Sequence, residues 1–91
     1  MKTVISCPLL TVSNQSVIMP IGAKLLSVDW VSEQLTLAIV ADQGNPSCAR
    51  EIEMLVDGRN LVGEMVYVDS VVVAGESKVL HVFDRGEHYA Q

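Results

Sequence analysis

Gly22, Ala23 and Lys24, within the stretch MPIGAKLLSVDW at residues 19–30, have the residue types of a shortened phosphate-binding loop. That chemistry needs two glycines separated by four residues, then Lys followed by Ser or Thr at the start of a helix. The helix matters because its unpaired N–H groups and its dipole help to hold the anion. Here one glycine is present, Leu25 follows the lysine, and the next residues favour strand. Pro20 and Gly22 suit a corner between two strands instead. Lys24 is then one cation at a loop mouth.

The other reactive side chains are equally dispersed. His81 and His88, with Asp84 and Glu87, contain the donor types of a metal set. Their loose spacing and reliance on the last few residues favour no metal site. His81 alternates with Val79 and Phe83 and is expected to lie half-buried among apolar neighbours, satisfied by one hydrogen bond. Cys7 and Cys48 lack the paired spacing of a zinc site and are expected to be reduced thiols. Glu51 and Glu53 fall on one face of a strand, where two carboxylates ordinarily serve solubility. No serine or cysteine lies in a local pattern that supplies a base. The expectation is a protein that is not an enzyme, with no catalytic residue, metal or cofactor.

Charge narrows the partners. The net charge is −5, and the cations Lys2, Lys24, Arg50, Arg59, Lys78 and Arg85 lie far apart. General nucleic-acid binding is excluded, because it needs clustered Lys and Arg to displace counterions. Folding can still gather a few cations around one small anion. Lys24, Arg50, Arg59 and Lys78 all flank expected turns and are the candidate anion or partner contacts. Trp30 and Tyr67 join them, since each pairs a large apolar body with a polar handle suited to an interface.

The elements that must position these residues are strands. Apolar residues make up 49% of the 91-residue chain but aromatics only 4%, so the core is aliphatic. Frequent valine favours pleated sheet. Strands are expected at Thr3–Cys7, Ser16–Pro20, Leu25–Val31, Leu35–Ala41, Arg50–Val56, Glu64–Val73 and Lys78–Asp84. In the third, Leu26, Val28 and Trp30 share a face. In the fifth, Ile52, Met54 and Val56 point inward and Glu51 and Glu53 outward. Turns are expected at residues 11–16, 32–34, 42–49, 57–60 and 74–77. The fold class is all-β, a small β-sandwich or partly open barrel of about seven antiparallel strands. Residues 1–84 form one domain, and residues 85–91 are expected to be a loosely ordered tail. No apolar run is long enough for a membrane helix, and a cytosolic protein is expected. The high apolar fraction with only 19% charged residues points to a homo-oligomer.

Four pieces, MKTV with a proline soon after, MPIGAKLLSV, LAIVAD and the late LHVFD, resemble a family of small uncharacterised β-rich proteins of tailed bacteriophages and prophages. The likeness runs from Met1 to about Asp84, while the DGRN turn and the DSVVVAGES hairpin are this chain's own. It implies a compact β domain of phage origin acting in the host cytoplasm, and it brings no binding or catalytic residues. The function expected on that basis is a host-takeover or anti-defence binding protein. It would sequester or inhibit a host protein or a small anionic nucleotide signal stoichiometrically. The alternative is a virion-associated structural or assembly protein that forms a homo-oligomer.

Overall fold

In the computed structural model, which describes residues 1–73 and 75–88, the chain forms strands throughout and no helix. The strands are β1 (Lys2–Pro8), β2 (Asn14–Pro20), β3 (Lys24–Val31), β4 (Gln34–Asp42), β5 (Ser47–Val56), β6 (Val66–Val72) and β7 (Val79–His88). They build two antiparallel sheets, β1-β4-β3 and β2-β5-β7-β6. The result is an open sandwich measuring 40 × 32 × 17 Å, not a closed barrel.

Alternation decides which residues meet between the sheets. Leu35, Leu37, Ile39 and Ala41 of β4 are buried every second residue, and Thr36, Ala38 and Val40 face outward. Across from them Met19, Ile52, Met54, Val71 and Val82 complete an aliphatic core. Leu37, Ile39 and Val82 are fully enclosed. Burying such side chains is worth about 1.5–3 kcal/mol each relative to leaving them in water.

Three bulges adjust the pattern. In β3 the register shifts between Leu25 and Ser27, so Leu25, Val28 and Trp30 face the core and Leu26 stands 43% exposed. The expected Leu26–Val28–Trp30 face therefore fails at Leu26, because an extra residue in a strand reverses side-chain direction. In β6 the extra residue is Val68, which turns Asp69 inward opposite Val82. Its carboxylate accepts the Val28 N–H at 2.9 Å and so caps the open edge of β3. In β7 the extra residue is Arg85, followed by Gly86 at φ +100°, a conformation that suits glycine.

Strand limits also differ from the sequence reading. β2 starts at Asn14, inside the stretch expected as a turn, and β6 is shorter than its apolar run. β7 continues to His88, which pairs with Ala49, so residues 85–88 belong to the sheet instead of a tail. The polar side chains of this segment are held by β5, Arg85 by Glu53 and Glu87 by Arg50. Residues 89–91 lie outside the described residues. The expected tight hairpin at 32–34 is a two-residue connection, with Ser32 and Glu33 both at positive φ.

Candidate functional site

Each candidate residue inherits its setting from the strand that carries it. Lys24 opens β3 opposite Val40 and stands exposed on the outer face of the three-stranded sheet. Trp30 packs at the core margin, and its indole N–H donates to the Val72 carbonyl at 2.8 Å, tying the two sheets together. Tyr67 lies on the outer face of the four-stranded sheet, edge-on to Phe83 with ring centroids 5.4 Å apart. Its hydroxyl is 3.5 Å from His81 Nδ1, and His81 Nε2 is 2.5 Å from Asp57 Oδ1. His81 is thus half-buried among neighbours, with two polar contacts where the sequence suggested one.

Arg50 lies within β5, whose start at Ser47 is three residues earlier than the expected start at Arg50. Its side chain is 11% exposed and reaches across to β7. Nε and Nη2 donate to the two Asp84 oxygens at 2.9 and 3.0 Å, and Nη2 also donates to the Ala23 carbonyl at 2.9 Å. Nη1 faces Glu87 Oε2 at 3.6 Å. The hydrogen bonds to Asp84 push the guanidinium pKa further up, against the opposing effect of burial. Glu87 in turn accepts the Gly22 N–H at 2.8 Å, and the Cys48 thiol lies 3.4 Å from the same oxygen. Burial, reinforced by that carboxylate, raises the Cys48 pKa; burial alone raises that of Cys7.

The loop-like glycine at residue 22 therefore does meet an anion, but the anion belongs to the protein. Ile21 N–H donates to the Pro46 carbonyl at 2.8 Å, which completes the corner between β2 and β3. Sequence reasoning placed Asp84 and Glu87 with the two histidines. The fold instead aims both acids at Arg50, while His81 turns to the opposite face. The signal that could have revealed this was a lone arginine at an inward position of an alternating strand, which demands a carboxylate partner.

At the other end of β5 the sheet is incomplete. β2 stops pairing at Asn14, with a last bond from Met54 N–H to the Ser13 carbonyl at 2.8 Å. β5 runs on to Val56, paired there only with Leu80 of β7. The gap between residues 11–14 and the turn at 58–60 is a groove of about 750 Å³. Arg59 and Lys78 stand exposed on its rim beside Asn60, and neither makes an ion pair with a described residue. Glu53, also on the rim, is held by Arg85 Nη1 at 3.1 Å. Of the six candidate residues, Arg59 and Lys78 are the two that line this groove.

The geometry defines an all-β sandwich with one closed, internally neutralised end and one grooved, cationic end. The chain belongs to the family described as a domain of unknown function, DUF7352, whose model matches residues 1–91. No curated protein and no solved structure matches it.

Proposed function

We propose that the protein is a binding module that seats an anionic feature of its target in the groove beside β5 and acts by stoichiometric occupancy. The observation that carries this reading is the convergence of Arg59 and Lys78 on one groove in a chain of net charge −5. A volume of about 750 Å³ falls within the range of ligand-sized sites. No catalytic residue or cofactor enters the reading. The resemblance of MPIGAKLLSV and LHVFD to phage proteins extends it to a phage accessory protein that disables a host component in the host cytoplasm. The test is capture from host lysate by the wild-type protein and by an Arg59→Glu, Lys78→Glu variant. A stoichiometric target held by the first and lost by the second is expected. Equal capture by both would overturn the groove as the binding surface.

A second reading, a homo-oligomeric virion-associated assembly protein, is favoured by large apolar side chains left in solvent. Val4, Ile18 and Val72 are 64%, 68% and 60% exposed. Concentration-dependent sedimentation decides it, since a protein that stays monomeric at high concentration has no such role.

A further inference from the structure

Resting on that reading of the groove, we infer that its occupant is an extended acidic peptide segment, which adds to the unpaired edge of β5 where β2 has ended. The first ground is the shape of the gap. β2 and β5 pair from Pro20↔Ser47 to Asn14↔Glu53, and Ser13 still accepts from Met54. The chain before Ser13 then leaves the sheet: Leu9 N–H donates to the Leu35 carbonyl of the other sheet at 2.8 Å. The groove opens there, between residues 11–14 and the end of β5 at residues 53–56.

The second ground is the backbone on that line. In an extended strand alternate residues direct their N–H and C=O groups to the same side. Met54 N–H points to the β2 side, so the Val56 N–H does too. The Val56 carbonyl accepts from the Arg59 N–H at 3.4 Å, a long bond within the turn. A strand edge with backbone groups to pair is the template for peptide addition, in which main-chain hydrogen bonds give affinity and flanking side chains give selectivity.

The third ground is what lines the groove. Val12, Leu55 and Leu80 offer aliphatic contact, and among the described residues the lining contains no aromatic ring on which a nucleobase could stack. Arg59 and Lys78 then select carboxylates along the incoming strand. Glu53, the acid at the rim, is already neutralised by Arg85 and offers little repulsion.

The experiment titrates isotope-labelled protein with a short blocked peptide that alternates Glu and Val. Its Gln-for-Glu counterpart, a version N-methylated at alternate amides, and ATP serve as comparisons. The acidic peptide is expected to shift the Met54 and Val56 amide signals and to slow Val56 amide exchange. Affinity is expected to fall at least roughly ten-fold with the Gln peptide or with an Arg59→Ala, Lys78→Ala variant, and further with the N-methylated peptide. Equal binding of the Gln peptide overturns the acidic selection, and equal binding of the N-methylated peptide overturns strand addition. No groove perturbation by the acidic peptide at millimolar concentration overturns the inference as a whole. Groove shifts with ATP alone do so while leaving the anion-binding groove standing. Failure of the groove reading itself shows separately, as lysate capture that survives the Glu substitutions.

Discussion

At the start of β5, Arg50 commits Nε and Nη2 to Asp84 and the Ala23 carbonyl, with Glu87 beside Nη1. Past the end of the same strand, Arg59 stands in solvent and lines the same groove as Lys78, with no ion pair to a described residue. Both arginines flank the sandwich's open ends, yet one closes its end and the other leaves it available. The difference lies in direction. Arg50 falls on the inward parity of the strand, where burial makes an unpaired charge untenable. Arg59 follows a turn, where water satisfies it.

The largest effect is expected from Arg50→Ala. Removing one partner strands Asp84 and Glu87 at a poorly hydrated corner, and breaking such a cluster costs about 3–5 kcal/mol. Urea unfolding should report it, along with a fall in Tm of more than roughly 10 °C for a domain this small. A loss under about 1 kcal/mol would mean that the corner is hydrated and the two ends are alike. Asp69→Ala tests whether the sheets are also tied away from that corner. It removes the acceptor of the Val28 N–H, with an expected loss of about 1–3 kcal/mol, and unchanged stability would remove Asp69 from the account.

Alkaline pH should have a smaller effect that begins at the closed end and in the core. The Cys48 and Cys7 pKa values are raised above their ordinary 9.0, so the folded chain keeps protons that the unfolded chain loses. That contribution is complete below pH 9 and lost as pH rises through the folded values. Urea midpoints measured across this range should decline, and a Cys7→Ala, Cys48→Ala variant should decline less. An identical slope in the variant would rule the thiols out. The smallest stability change is expected from Arg59→Ala with Lys78→Ala, within about 0.5 kcal/mol because both side chains are exposed. A loss comparable to that of Arg50→Ala would erase the contrast between the ends.

Much of the architecture was legible from alternation. Leu35 to Ala41 and Ile52 to Met54 announced their inward faces, and Pro46, Asp57 and Gly58 marked the turns. The bulges were not legible, because an inserted residue such as Leu26 or Val68 looks like any other apolar residue in a strand. Their positions depend on which edge needs a cap, and that is known only once β3 and β6 lie against each other. For the same reason Arg50 read only as a cation flanking a turn. Asp84 and Glu87, more than thirty residues away, become its partners only through pairing of β5 with β7. The meeting of Arg59 with Lys78 was likewise hidden, since it depends on β5 outrunning β2. Their candidacy, though, followed from charge and turns alone.

The strand order sets the timetable by which the chain can fold. Only β3 with β4 and β6 with β7 are both neighbours in sequence and partners in a sheet. β1 must wait for β4, and β2 for β5, so their edges stay unpaired while later segments leave the ribosome. Loop-closure entropy must be met before these distant pairings contribute, which places folding in the range of roughly milliseconds to seconds. During that interval the nascent N-terminal strands are the segments most exposed to pairing with the wrong chain.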